Sequence, residues 1–105
     1  MAIDRIEALK AMLAQDPTNS FVRYGLAQAY GGSGRLEEAV AAYQELIAED
    51  PGYVAAYFHG GQALEKLGRL EEAREVYRKG IEACTRKGDL HTRSEIQGAL
   101  DMLPL

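Results

Sequence analysis

The sequence predicts an all-α chain of paired helices, and three observations support that prediction. Residues 28–47 and 62–81 are identical at half of their positions when aligned with a displacement of 34 residues. Apolar side chains recur at three- and four-residue steps along most of the chain, as they do on one face of an α-helix. Glycine and proline separate these periodic segments. Repeats of this length are typical of solenoids built from stacked helix pairs.

Two further matches define the repeated unit. The run Gly-Arg-Leu-Glu-Glu-Ala occurs at residues 34–39 and again, unchanged, at residues 68–73. An Asp-Pro pair recurs with the same spacing, at residues 16–17 and 50–51. The chain therefore contains two copies of one structural unit.

The first unit, residues 18–51, is predicted to contain two helices. An apolar stripe that includes Leu36 and Tyr43 marks the second of them. The glycine-rich residues 31–34 are expected between the two helices, because glycine readily adopts the left-handed conformation that ends a helix. Pro51 ends the second helix, since proline disfavours helical geometry in the residue before it.

The second unit, residues 52–87, follows the same plan. Gly68 separates its two helices. Thr85 stands where the repeat would place a proline, so the second helix of this unit is expected to continue to about Lys87.

Segments on both sides complete the predicted array of six helices without strands. Residues 2–16 carry an apolar stripe from Ile3 to Leu13, which indicates a half-repeat, the second helix of a unit whose first helix is absent. Residues 89–103 place Ile96 and other apolar side chains on one face and polar side chains on the other. We expect this last helix to cap the stack, because each repeat buries its apolar face only against a neighbour.

Small and aromatic residues at repeated positions predict how the helices pack. Ala39 and Ala73 are expected where two helices approach most closely, and Gly61 where the helices of one hairpin meet. Tyr43 and Tyr77 are expected to fill the space between one hairpin and the next.

Composition limits the function classes. The chain has 105 residues, a net charge of −4 and one cysteine, which fits one domain, residues 1–105. Nucleic-acid binding is disfavoured, because it usually needs a concentrated positive face. No apolar run approaches the length that spans a bilayer, and the N-terminus lacks the pattern of a secretory signal. We therefore expect a soluble, cytoplasmic protein without a membrane partner.

The repeated unit resembles the tetratricopeptide repeat. The first unit matches the pattern of that family at Leu26, Ala27, Tyr30, Ala39, Tyr43 and Pro51. The second unit matches it at Tyr57, Gly61, Ala73 and Tyr77 and departs from it at Gly60, Leu64 and Thr85. The resemblance implies a right-handed α-α superhelix of about two and a half repeats with a C-terminal capping helix.

In that family, the first helices of successive repeats line a concave groove that holds a peptide. Aromatic and amide side chains suit such a groove, because they give broad contact and hydrogen bonds to a backbone. The residues expected there are Tyr24, Gln28, Phe58, His59, Gln62, Lys66 and Arg93. Core packing is the alternative role for the aromatic residues of this set. Chaperone-binding members clamp a carboxylate with Lys and Asn, and only Arg93 agrees with that pattern here.

Catalytic and metal-binding signals are weak. Cys84, His59 and His91 lack the spacing of a zinc site, and no third group orients a Cys–His pair. The glycine-rich residues 31–34 lack the Lys-Ser/Thr ending of a phosphate-binding loop. We expect no cofactor, no metal and no enzymatic activity; a thiol enzyme based on Cys84 is a remote alternative, and a partly buried structural cysteine is the simpler interpretation.

The predicted function is non-catalytic binding of a protein or peptide, as an adaptor or assembly scaffold. The alternative is a structural module that dimerises through an exposed end helix, because a half-repeat leaves part of a stacking surface uncovered. We expect a monomer or a weak homodimer.

Overall fold

The computed structural model describes residues 4–104, and within them it contains six α-helices and no strand. The chain forms a right-handed superhelix of helical hairpins, as the sequence predicts. The helices are α1 (Arg5–Gln15), α2 (Ser20–Gly32), α3 (Leu36–Glu49), α4 (Ala55–Lys66), α5 (Leu70–Lys87) and α6 (Leu90–Met102). Ile3, which belongs to the predicted apolar stripe of the first helix, lies outside the described residues.

Side-chain caps begin three of the helices. An acidic or amide oxygen accepts a hydrogen bond from a backbone N–H in the first turn, which satisfies a donor that the helix leaves without a partner. The capping residues are Asp4 for α1, Asn19 for α2 and Asp89 for α6. Short polar residues thus fix where these helices start.

Left-handed glycines follow α2, α4 and α5. Gly34, Gly68 and Gly88 have φ angles of 77°, 75° and 77°, a region that favours glycine. Gly31 and Gly32 lie inside α2, so the expectation that both belong to the connection is wrong. Their backbone continues the helix, and the chain turns only at Gly34.

Each helix packs mainly on its neighbours along the chain. The pairs α2–α3 and α4–α5 form two hairpins, α3 packs on α4, and α1 and α6 cover the two ends of the array. Ile96 is fully buried, and α6 contacts both α4 and α5. The last helix thus closes one end of the stack, as a cap requires.

Small residues let the helices approach, and the two repeated tyrosines fill the space beside them. Ala39 and Ala73 are fully buried. Tyr43 packs against the next hairpin. Its Cβ lies 3.2 Å from the position that a β-carbon on residue 60 would take. Tyr77 packs against Gly61 of its own hairpin. Tyr43 therefore lies between one hairpin and the next, and Tyr77 lies between α4 and α5 in a core cluster that also contains Ile96 of α6.

The surface of the array carries few large apolar side chains. Phe21 and Met12 are exposed near the N-terminal end, and Leu90 and Met102 are exposed on α6. Among residues 4–104, no helix combines the length and the apolar character that crossing a membrane requires.

Candidate functional site

A cavity of about 280 Å³ opens between α2, α3 and α4. Four polar side chains converge on it from the two first helices of the hairpins. Gln28 comes from α2, whereas His59, Gln62 and Lys66 come from α4. The remaining lining residues are Gly31, Gly32, Leu36, Tyr43 and Ala63. The helical repeat brings Gln28 and Gln62 together because they occupy the same position in successive units.

Tyr24 supports this cavity from α2. Its hydroxyl accepts a hydrogen bond of 2.7 Å from the Nε2 atom of Gln28. Its ring lies 5.2 Å from the ring of Tyr53 and 5.8 Å from that of His59, as centroid distances. These contacts hold the Gln28 amide in place and connect the two hairpins through aromatic packing.

His59 lies at the centre of the aromatic cluster. The ring centroids of Phe58 and Tyr43 lie 5.2 Å and 6.5 Å from its own. Burial lowers the pKa of His59, although a hydrogen bond with Gln62 acts in the opposite direction. The imidazole is therefore neutral at pH 7, and a neutral imidazole offers one donor and one acceptor nitrogen.

Two cavity residues come from α3, which the sequence analysis did not assign to the groove. Leu36 and Tyr43 both line the cavity. Burial raises the pKa of Tyr43 to about 12, so its hydroxyl stays protonated at neutral pH. The sequence correctly predicts that both residues belong to the apolar stripe of α3. No sequence signal distinguishes a side chain that only packs in the core from one that also lines a cavity.

The other predicted groove residues lie elsewhere. Phe58 is half-buried and packs against the core, next to His59, without lining the cavity. Arg93 lies on α6 beside a separate cavity of about 330 Å³, together with Leu90, Ser94 and Gln97. Of the seven predicted residues, four therefore line the cavity and a fifth, Tyr24, supports it through its hydrogen bond to Gln28.

The charge of the cavity is positive. Lys66 is the charged residue that lines it, and this side chain is exposed. An acidic group on a ligand would gain from the ammonium group, whereas the neutral amides of Gln28 and Gln62 suit a peptide backbone.

Nothing in residues 4–104 assembles a metal site, since no three His, Cys, Asp or Glu side chains lie close enough together to hold an ion. Cys84 is fully buried rather than partly buried, and burial raises the pKa of its thiol. A buried thiol of raised pKa is a poor nucleophile, which argues against the thiol-enzyme alternative.

A second, more apolar cavity of about 200 Å³ lies at the N-terminal end, between α1 and α2. Leu9, Met12 and Phe21 contribute apolar side chains to it. Met12 is 53% exposed and Phe21 is 76% exposed. This end therefore presents an apolar cavity beside two exposed large apolar side chains.

Comparison with sequence-family models and solved structures gives consistent results. Two family models described as tetratricopeptide repeat match the chain, one over residues 24–86 and one over residues 6–41. Comparison with curated proteins gives no significant match.

Three solved structures illustrate the likeness. A tetratricopeptide repeat domain protein from Salinibacter ruber is 38% identical, with a TM-score of 0.75, over 81% of this chain and 86% of that one. A protein from Bordetella parapertussis is 30% identical, with a TM-score of 0.79, over 96% and 86% of the two chains. The TPR2B domain of yeast Sti1, in complex with pHsp70, shares the fold at 20% identity, with a TM-score of 0.85 over 91% and 77%.

Proposed function

Because this chain belongs to the tetratricopeptide repeat family, whose members are generally protein-interaction modules, we propose that it binds a polypeptide segment in the cavity between α2, α3 and α4. The observation that carries the proposal is the convergence of Gln28, His59, Gln62 and Lys66 on one cavity. These four side chains are half-buried or exposed, so each keeps surface that a ligand can contact.

The chemistry of the cavity favours an extended segment with an acidic side chain or terminus. The amides of Gln28 and Gln62 can each donate and accept hydrogen bonds, so they can pair with the N–H and C=O groups of a peptide backbone. Tyr43 and Leu36 provide an apolar wall for a ligand side chain. Lys66 provides a positive charge at the exposed edge.

The structure of the yeast Sti1 domain is a complex with pHsp70, which supports the proposal that a domain of this fold carries a binding site. At 20% identity, this likeness concerns the fold alone. The lysine and asparagine clamp of chaperone-binding members is not present in the sequence, so the proposed ligand is not a chaperone tail.

We extend the proposal to a non-catalytic role as an adaptor or assembly scaffold. Binding through Gln28, Gln62 and Lys66 requires no nucleophile, metal or cofactor. A single buried cysteine suits the reducing cytoplasm, which is the compartment we propose.

The test begins with peptides selected from a random displayed library against the full chain. Binding of a selected peptide should shift the NMR amide signals of His59, Gln62 and Lys66. Gln62→Ala should weaken the affinity about fivefold or more, which corresponds to the loss of about one hydrogen bond. Gln15→Ala on α1 is the matched control, because Gln15 is exposed and does not line the cavity, and it should leave the affinity unchanged. Equal losses in both variants, or shifts confined to α1, would reject the groove.

Self-association is the second candidate, and the exposure of Phe21 favours it. Two copies meeting at the apolar cavity between α1 and α2 would bury Met12 and Phe21. Sedimentation over a tenfold dilution should then give a dimer mass that Phe21→Ser reduces to the monomer mass. A monomer mass for the unchanged chain at all concentrations would reject this alternative.

A further inference from the structure

A cavity of about 470 Å³ lies between α3 and α5, the second helices of the two hairpins. These two helices each pack against α4 and leave a cleft between them. Tyr57 of α4 reaches this cleft, whereas His59 and Lys66 of the same helix line the groove. At 3.6 residues per turn, steps of two and nine residues correspond to rotations of about 200° and 180°, so the cleft and the groove lie on opposite sides of α4.

Apolar side chains form the floor of this outer cleft. Ile47 and Val76 are partly buried and contribute aliphatic surface from the two walls. Tyr57 is 3% exposed, and its hydroxyl donates a hydrogen bond of 2.6 Å to the carbonyl oxygen of Pro51. Because that bond fixes the ring, the floor is preformed. The volume of the cleft lies within the range of small ligand pockets.

Carboxylates dominate the rim. Glu71, Glu72 and Glu75 line the cleft, with Lys79 as the opposing charge and Gln44 on the α3 side. Helix α3 itself carries four glutamates and no basic residue.

The rim carboxylates have ionic partners along their own helix. Arg74 contacts Glu71 at 2.5 Å, Arg69 contacts Glu72 at 2.5 Å, and Lys79 contacts Glu75 at 3.8 Å. The Glu71 side chain is nevertheless 89% exposed. Arg69 and Arg74 are partly buried, but all three glutamate side chains are at least half exposed, so a basic partner can reach these carboxylates.

The two units share some of the residues that line the cleft and differ at others. Glu71 and Glu72 repeat the glutamates found 34 residues earlier in the first turn of α3, where negative charge suits the helix dipole. Glu75 and Val76 instead replace Ala41 and Ala42 of the first unit. The first unit is therefore built without a carboxylate and a valine at these positions, and in the second unit they add to the acidic rim and the apolar floor.

We propose that the outer cleft between α3 and α5 is a second docking surface, which binds a partner polypeptide through a leucine-sized aliphatic side chain flanked by lysine or arginine. The aliphatic group contacts Ile47, Tyr57 and Val76, and the basic groups face the glutamate rim. Since the groove carries Lys66 and the outer cleft carries glutamates, the two sides of the molecule select partners of opposite charge. The proposal stands independently of the proposed groove function.

The probe is an acetylated and amidated peptide of sequence Lys-Lys-Leu-Leu-Lys-Lys, added to the full chain in about 0.1 M salt. Its binding should shift the amide signals of Gln44, Ile47, Val76 and Lys79 and leave those of His59 and Gln62 unchanged. A peptide with Gly-Gly in place of Leu-Leu tests the apolar floor, and one with glutamates in place of lysines tests the rim. Both should bind at least about fivefold more weakly.

The variant Glu75→Lys should weaken binding of the lysine-leucine peptide about fivefold or more. Glu82→Lys is the matched control, because Glu82 is an exposed glutamate of the same helix that does not line the cleft. Glu75→Gln provides a second variant with a smaller charge change, and unchanged thermal melts show that each variant is folded. An equal loss with Glu82→Lys, equal binding of the Gly-Gly peptide, shifts at His59 and Gln62, absence of shifts at millimolar peptide, or a dimer mass that buries the cleft would each overturn the proposal.

Discussion

The ring of Tyr77 occupies the space in which a side chain on Gly61 would lie. Tyr77 is fully buried between α4 and α5, and its hydroxyl donates a hydrogen bond to the carboxylate of Glu65. The ring is thus held at both ends, and α4 approaches α5 closely only because residue 61 has no β-carbon.

Gly61→Ala should therefore destabilise the fold by about 1–3 kcal/mol, because the added methyl group overlaps a buried ring that has little room to shift. Urea denaturation followed by circular dichroism measures this change. Gly98→Ala in α6 is the control, since no neighbouring atom lies within 4 Å of its β-carbon position. Alanine there should stabilise the helix by about 0.5–1 kcal/mol. Equal stabilities of the two variants would contradict the close approach of α4 and α5.

Ala39→Phe should cost about 1–3 kcal/mol or more, because Ala39 is fully buried in a packed interior that cannot accept a ring without moving a helix. Ala41→Phe, two residues later on the exposed side of α3, should leave the free energy of unfolding nearly unchanged. Thermal melts of the two variants test this difference directly. A melting temperature of Ala39→Phe that equals that of the unchanged chain would show that α2 and α3 do not meet there.

His59 should make the stability depend on pH between about 7 and 5.5. Burial lowers the pKa of His59 in the folded chain from its usual value of 6.5. The unfolded chain therefore takes up a proton first as the pH falls, and the free energy of unfolding decreases in this range. The carboxyl groups whose pKa values are lowered, Glu38, Glu72 and Asp89, titrate at lower pH and act below this range.

Urea denaturation at pH 7.5 and 5.5 measures the effect. His59→Gln should reduce the difference between the two stabilities, whereas His91→Gln should preserve it, because the His91 side chain is 88% exposed. A difference that persists in His59→Gln would assign the effect to another group.

The thiol of Cys84 should resist labelling in the folded chain. Its side chain is fully buried, and burial raises its pKa, so both access and the thiolate fraction are low. A disulfide reagent at pH 7.5 should react only at the rate at which the protein opens, and at the rate of an ordinary free thiol after urea is added. Rapid labelling without urea would show that Cys84 is accessible and would revive the thiol-enzyme alternative.

The repeat made the fold predictable from the sequence. The copies at residues 34–39 and 68–73 set the period, and a chain that repeats a helix pair must stack those pairs to bury their apolar faces. Polar positions that repeat, such as Gln28 and Gln62, were likewise predictable as neighbours on one surface.

Side-chain placement within the repeat was less predictable. Tyr77 packs so closely on α4 that a β-carbon at residue 61 would overlap its ring. Ala27 stands in the first unit where Gly61 stands in the second. Such choices depend on which rotamer fits among several neighbours, and a linear pattern does not record those neighbours. For the same reason, the sequence did not show that Phe58 and Arg93 do not line the cavity between α2, α3 and α4.

Each helix contacts mainly its neighbours along the chain, and this pattern affects the rate of folding. Closing each contact brings together segments separated by one short connection, so little loop entropy is lost at each step, and folding is expected to be rapid. Within residues 4–104, the end helix α1 packs mainly on α2, so its amide hydrogens should exchange before those of α3 and α4 do. Stability in such a chain accumulates from one interface to the next along its length.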